Sequence, residues 1–233
     1  MRAGDLGDRL AQQLGRVPAA FFVATGVVAL SILIMATGGE IRRPPTRSSV
    51  SGIGRLIVRP DVIIPLLLSA VGQYAHWAIS LGFMSVLVKQ LGGTGVTQSL
   101  FATISIALMA SGNLWASAIA SQIRGHRLVV ASFFIIIAAM SSSLVVLAIA
   151  QAIMGLAQGI GYPVLMGMSI EHVSHAERST AMGLHQSVYA IGMFAGPAFS
   201  GALAAEIGIQ PMFAVTAAAC LALGLAGAHW LDK

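Results

Sequence analysis

Ionisable side chains divide this 233-residue sequence into long tracts that contain no Asp, Glu, Lys or Arg: residues 17–39, 62–88, 90–123, 128–170, 179–205 and 207–231. A charge at the middle of a bilayer costs about 2.5–3.5 kcal/mol on insertion scales, so charges mark where spans end. Each tract meets the roughly 20 residues a helix needs to cross the hydrocarbon. None shows the polar face that a surface helix of a soluble domain requires. With 57% hydrophobic and 9% charged residues the chain lies far from the balance of a soluble globular domain. The fourth tract is too long for one crossing, since at 1.5 Å per residue it would make a rod of about 65 Å. A break near Ser141, Ser142 and Ser143 divides it. The expectation is an all-α, polytopic transmembrane bundle of about seven spans.

Basic residues in the connections set the orientation. Arg42, Arg43, Arg47, Arg55, Arg59, Arg124, Arg127, Arg178 and Lys233 fall on one side, and Arg2, Arg9, Arg16 and Lys89 on the other. The side with nine is expected to be cytoplasmic, the amino-terminal tail outside and the carboxy terminus inside, in a plasma (inner) membrane. Topology therefore accounts for the net charge of +5. Dispersed basic residues without an aromatic platform argue against nucleic acid. Cys220 is the single cysteine, which rules out an internal disulfide or a thiolate metal cluster. The polar start, residues 1–16, precedes an apolar run of transmembrane length and lacks a cleavage pattern, so the first run is expected to stay in the protein.

Residues 38–59, with Arg42-Arg43-Pro44-Pro45 and Ser48, Ser49 and Ser51, have the composition of an exposed linker. Three parts are expected: an outside tail and leading helix (1–39), a cytoplasmic linker (40–59) and a six-helix bundle (60–233). The stretch from Leu10 to Pro18 echoes that from Leu203 to Pro211, which makes the leading span a candidate for the last helix of an earlier repeat.

In the sixth span Gly183, Gly192, Gly196, Pro197, Ser200 and Gly201 follow the pattern G, eight residues, G, three residues, GP, two residues, small, G. This resembles the glycine-rich signature of major facilitator superfamily exporters. Two further segments are similar to that family. Glu171–Gly183, EHVSHAERSTAMG, resembles its connection between the fourth and fifth helices of a half, with Arg178 placed to pair with Glu171 or Glu177 or to bind lipid headgroups. Ala118–Arg127, AIASQIRGHR, falls where the family carries GxLxDRxGRR. Gly125 and Arg127 match there, while Gln122 replaces the acidic residue. The resemblance implies the carboxy-terminal half of a secondary transporter, with the leading span closing a first half. It also implies a small amphipathic substrate, export in exchange for protons, and a partner that is a second half or another copy; the alternative is an inactive, truncated membrane fragment or interaction protein.

Polar residues inside the spans are the site candidates, because their desolvation cost turns them toward the bundle or a watery cavity. Gln73, Tyr74, His76 and Trp77 lie in the second span, Asn113 in the third, Gln151, Gln158 and Tyr162 in the fifth, and His185, Gln186 and Tyr189 in the sixth. A cavity lined by Gln73, Tyr74, His76, Trp77, Gln158, Tyr162, Gln186 and Tyr189 is expected. Gly183, Gly192, Gly196, Pro197, Ser200 and Gly201 would serve close packing or gating, and Glu171, Arg178, Gln122, Gly125 and Arg127 a cytoplasmic gate. No cofactor or metal is called for.

Other chemistries fit less well. A retinal-type Schiff base needs a lysine at mid-membrane, and Lys89 and Lys233 stand at span ends. An intramembrane serine protease would use Ser169 with His185 or His229, without the usual second glycine. Glu171, His172 and His175 supply three metal-type ligands in one short loop.

Overall fold

The computed structural model describes residues 21–37, 50–119 and 143–231. These form α1 (Phe21–Thr37), α2 (Val50–Ile57), α3 (Pro60–Gln90), α4 (Gly95–Ile119), α5 (Leu144–Glu171), α6 (Arg178–Ile207) and α7 (Ile209–Leu231). Helices α3 to α7 are long and apolar enough to cross a bilayer, and α1 is a shorter apolar helix. Among the described residues there is no strand. The fourth expected span, residues 128–140, and the first copy of the sequence echo lie outside the described residues.

The chain divides into two compact units, residues 1–46 and 47–233. In the first, α1 satisfies its hydroxyls internally: Thr25, Ser31 and Thr37 donate to the carbonyls of Phe21, Val27 and Ile34. An apolar helix with no polar group left over suits lipid.

In the second unit α3 is the central element and packs on α5, α6 and α7, while α4 packs on α5. Leu68, Ile79, Leu87, Leu147, Met154, Met212 and Phe213 form the main core. A smaller core joins Leu56 of α2 to Val62, Leu66, Val173 and Ala181. The second half of the expected linker is thus helical: Leu56 is an apolar anchor in a segment whose composition otherwise reads as exposed. Ser143, in extended conformation, stands immediately before α5, at the expected serine break. Gly208, with φ +89°, lets α6 end and α7 begin one residue later, in a conformation that L side chains rarely adopt.

Lipid tails are as apolar as the side chains they touch, so helices in a bilayer adhere through close packing and hydrogen bonds. Glycine provides the closeness. A Cβ at Gly155 would strike the carbonyl of Ser105, one at Gly159 the carbonyl of Met109, and one at Gly112 would lie 2.7 Å from the carbonyl of Leu156. The α4–α5 seam is therefore backbone against backbone. The α3–α6 seam is built alike: a Cβ at Gly192 would strike the carbonyl of Ala70, and one at Gly196 would lie 2.6 Å from that of Tyr74.

Helix α3 is not uniform. His76–Phe83 winds as a π-helix, with the Met84 N–H donating to the carbonyl of Ile79, five residues back. Gly82 belongs to the widened turn, where a Cβ would sit 2.7 Å from the Trp77 carbonyl. Such turns disturb the register of a helix and occur mostly at functional positions.

Candidate functional site

Four of the candidate residues share a region on α5 and α6. Gln186 donates from Nε2 to the Tyr162 hydroxyl at 2.6 Å, and the Tyr162 and Tyr189 rings lie 5.1 Å apart at 54°. Gln158 is one turn from Tyr162 on α5, a spacing that places both on one face, and a Cβ on Gly72 would come within 3.8 Å of its Oε1. Gln186 is exposed, and Gln158, Tyr162 and Tyr189 are half-buried. Because the Tyr162 oxygen accepts from Gln186, its own O–H is left to donate outward. The surface combines amide dipoles, a phenol donor and two aromatic faces, and carries no formal charge. It suits an uncharged or amphipathic solute.

The four candidates on α3 are placed differently. Gln73 and His76 are 2% and 8% exposed in the interior, because the middle of α3 is enclosed by three other helices. The Nδ1 of His76 has no hydrogen-bond partner among the described residues. Tyr74 and Trp77 belong to the α3–α6 seam: the Tyr74 hydroxyl is 2.9 Å from Ser200 Oγ, and a Cβ on Gly196 would meet Trp77 Cβ at 3.3 Å. Of the glycine-rich pattern, Gly192, Gly196 and Ser200 are buried and recur every four residues on the face toward α3. A Cβ on Gly201 would lie 3.7 Å from the Phe83 ring, and one on Gly183 would meet nothing within 4 Å. Pro197 is inside α6, where it removes a backbone donor.

Two polar contacts lie deep between helices. Gln151 of α5 accepts from Ser80 Oγ at 3.0 Å and donates to the Ser80 carbonyl at 3.3 Å. His185 of α6 is fully buried, with Nδ1 3.1 Å from Ser169 of α5 and Nε2 3.1 Å from Ser69 of α3. Ser169 already directs its hydrogen to the Met166 carbonyl at 2.8 Å. The network thus assigns the proton to Nδ1, which donates to Ser169, while Nε2 accepts from Ser69. A serine protease needs the reverse, with the imidazole accepting the serine proton, so this contact is arranged as a tie between three helices.

Replacing His185 with leucine strands the Ser69 hydroxyl, while Ser169 keeps its bond to the Met166 carbonyl. Buried unsatisfied groups cost about 1–3 kcal/mol each, but hydrogen bonds between membrane helices average only about 0.6 kcal/mol. The lower figure governs, because serine can turn back to its own helix. His185→Leu is therefore expected to lower stability by about 1–2 kcal/mol in mixed-micelle unfolding. A loss above about 4 kcal/mol would contradict this assignment.

At the end of the bundle bearing α2, Arg55 Nη2 meets Glu177 Oε1 at 2.6 Å, and Ser174 donates to the other oxygen of Glu177 at 2.9 Å. Arg59 pairs with both oxygens of Asp61 and donates to the carbonyl of His172 at 3.1 Å. The expected Arg178–glutamate pair is not formed. Glu177 is taken by Arg55, which α2 brings across, and Arg178 donates from Nε to the Val173 carbonyl at 3.4 Å. Glu171 is exposed. The remaining gate candidates, Gln122, Gly125 and Arg127, lie outside the described residues. Because the Arg55 side chain is 77% exposed, a double-mutant cycle on Arg55 and Glu177 is expected to give a coupling of about 0.2–1 kcal/mol, falling with salt. Coupling above about 2 kcal/mol would mean that the pair is shielded from solvent.

Among the described residues no three His, Cys, Asp or Glu side chains are grouped to hold a metal, so Glu171, His172 and His175 do not converge. Residues 66–233 match the model of the Major Facilitator Superfamily. The chain belongs to that superfamily. Membrane transport is accordingly its general activity, and the apolar helices α3 to α7 make it a multi-pass membrane protein. No curated protein matches the chain. In this superfamily member the contacts most easily missed from sequence are the α4–α5 glycines and the serines paired with Gln151 and His185. The four-residue spacing of Gly155 and Gly159 is a small-residue packing signal. The serines carry none, since hydroxyls are common along all the spans.

Proposed function

We propose that the bundle from Pro60 to Leu231 forms one wall of a secondary active transporter that exports a small amphipathic molecule in exchange for protons. The observation that carries this reading is the uncharged, aromatic and amide-bearing face of Gln158, Tyr162, Gln186 and Tyr189. Its Gln186 is exposed within a span, whereas Gln151 and His185 are enclosed between helices. A polar face left open at membrane depth needs water or a second bundle across from it. Two bundles rocking about such a face expose it to one side at a time.

In this reading the Gly192–Gly196–Pro197–Ser200 seam is where α6 shifts against α3, and Gln73, Tyr74, His76 and Trp77 supply the supporting layer behind the wall. The end with Arg55, Arg59 and Arg178 is cytoplasmic and the membrane is the plasma (inner) membrane. The second bundle is supplied by another transporter half or by a second copy. Asp61, Glu171 and Glu206 stand near the ends of their helices, so in this reading carboxylate proton exchange falls to the opposite bundle.

The test is accumulation of lipophilic dyes in inverted vesicles energised with a proton gradient. Vesicles with both bundles are expected to accumulate dye, to lose accumulation on adding a protonophore, and to show none with this bundle alone. Accumulation that ignores the protonophore would remove proton coupling, and accumulation by the lone bundle would remove the requirement for a second wall.

A further inference from the structure

His76 stands at the middle of α3, sixteen residues from Pro60 and fourteen from Gln90, which puts it about 20 Å or more from either end of the helix. Its side chain is buried, and Nδ1 has no hydrogen-bond partner among the described residues. One other buried side-chain atom among them is left so, Ser105 Oγ. A serine hydroxyl does not titrate near neutrality, whereas an imidazole does. The other polar groups deep between the helices are engaged: His185 with Ser169 and Ser69, Gln151 with Ser80, and Tyr74 with Ser200.

The position of His76 on its helix explains why it is left over. Gly72, His76 and Ser80 recur every four residues and form one line along α3. At one end of the line a Cβ on Gly72 would come within 3.8 Å of Gln158 Oε1. At the other end Gln151 exchanges two hydrogen bonds with Ser80. Both glutamines belong to α5, and the buried residues midway between them, Met154 and Gly155, carry no strong hydrogen-bonding side chain. Gln158 is half-buried at the border of the open α5–α6 face, so one helical turn separates that face from His76. His76 also begins the π turn, where the helix departs from α register.

Among the described residues no formal charge faces the ring. Helices α4, α5 and α6 pack on the π turn. Helix α4 has no titratable residue; those of α5 are Tyr162 and Glu171, and those of α6 are Arg178, His185, Tyr189 and Glu206. Glu171, Arg178 and Glu206 stand at or near helix ends. His185 bonds to Ser69, seven residues or about 10 Å along α3 from His76, and the Tyr162 and Tyr189 rings cluster beside it. On α3 itself Asp61 and Lys89 lie near the two ends, and Cys220 of α7 reaches the Val71 carbonyl at 4.0 Å. A charge enclosed at this depth without an opposite charge is costly. The enclosed imidazole is therefore the neutral one, and a proton favours whichever arrangement admits water.

We propose that His76 is a proton-exchange site of this bundle, reached from the open α5–α6 face when Gln158 moves off Gly72. The inference rests on the proton-coupled reading above and gives this bundle a proton carrier of its own. With the hydrogen of the neutral ring on Nε2, the Nδ1 lone pair takes a proton from water, forming one N–H bond. The same bond breaks when the proton returns to water on the other side.

Diethyl pyrocarbonate, which attacks only the unprotonated imidazole, tests the site on the full chain in vesicles, with peptide mass spectrometry reading each histidine. His76 is expected to react, and to do so at least about fivefold more slowly at pH 4.5 than at pH 7.5. His185, engaged at both nitrogens, should stay unmodified. Gly72→Val puts a side chain where Gln158 must move, and is expected to slow His76 at least about fivefold while leaving the exposed His172 unchanged. In vesicles with both bundles, His76→Gln should lose about tenfold of the dye accumulation driven by a proton gradient. Dye counterflow, which moves no net proton, should stay within about twofold. A His76 as unreactive as His185, equal rates at the two pH values, unchanged accumulation, or equal loss of accumulation and counterflow would each overturn the proposal. Unaltered bundles that accumulate no dye while His76 titrates as stated would remove the transport reading and retain the proton site.

Discussion

Gly159→Leu is expected to destabilise the bundle by about 3 kcal/mol or more, the top of the range for overpacking, and to sharply reduce the yield of folded protein. The obstacle is the backbone carbonyl of Met109, with Gly155 meeting Ser105 one turn away. A side chain in that position can swing aside, but a carbonyl held in a helix cannot. The two helices would have to separate, losing the dispersion contacts that hold them together where lipid supplies no hydrophobic drive. Gly183→Leu is the internal comparison: nothing lies within 4 Å of a Cβ there, and a change within about 0.5 kcal/mol is expected. Unfolding in mixed micelles measures both. Equal stabilities for the two variants would show that the seam is looser than described.

Tyr162→Ala is expected to reduce transport strongly while leaving the fold intact. The substitution removes the acceptor for Gln186 at 2.6 Å and the ring 5.1 Å from Tyr189. A hydrogen bond is worth about 0.5–1.5 kcal/mol net, and an aromatic pair adds about 0.5–1.5 kcal/mol. Together these correspond to roughly five- to 150-fold in rate where the solute depends on both. Tyr162→Phe keeps the ring and removes only the hydroxyl, so a loss of about two- to tenfold is expected. Dye accumulation in vesicles, with expression and elution profile as controls, separates the cases. Wild-type accumulation by folded Tyr162→Ala protein would take this tyrosine out of the route.

The fold was legible because insertion into lipid is governed by terms that a single sequence displays. Charges mark span ends, and the length of an uncharged tract gives the number of crossings. The tracts at 62–88, 179–205 and 207–231 correspond to Pro60–Gln90, Arg178–Ile207 and Ile209–Leu231. The π-helical turn at His76–Phe83 was not legible, because its backbone register depends on what packs against α3 and no residue type demands it. Helix α2 was hidden for a related reason. Its Leu56 is buried by Val62, Val173 and Ala181, which are distant from it in sequence or lie across another helix.

Within the candidate site, pairings along one helix were easier to read than pairings between helices. Gln186 and Tyr189 share a face by spacing alone. The bond from Gln186 to Tyr162 requires knowing that α5 and α6 are neighbours. The same gap explains Arg178, whose expected partner Glu177 is instead engaged by Arg55, 122 positions away. It explains Tyr74 as well, which spacing puts near the candidate cavity and tertiary packing commits to Ser200.

The central claim is that the open polar face of α5 and α6 borders water inside the membrane while α7 borders lipid. With Cys220 replaced by serine, single cysteines at Gln158, Gln186, Val215 and Leu225 can be challenged in sealed vesicles with a small, charged, membrane-impermeant thiol reagent. Labelling at positions 158 and 186, with none at 215 and 225, is the predicted result. Protection of 158 and 186 equal to that of 215 and 225 would contradict the claim and, with it, the transport route proposed along that face.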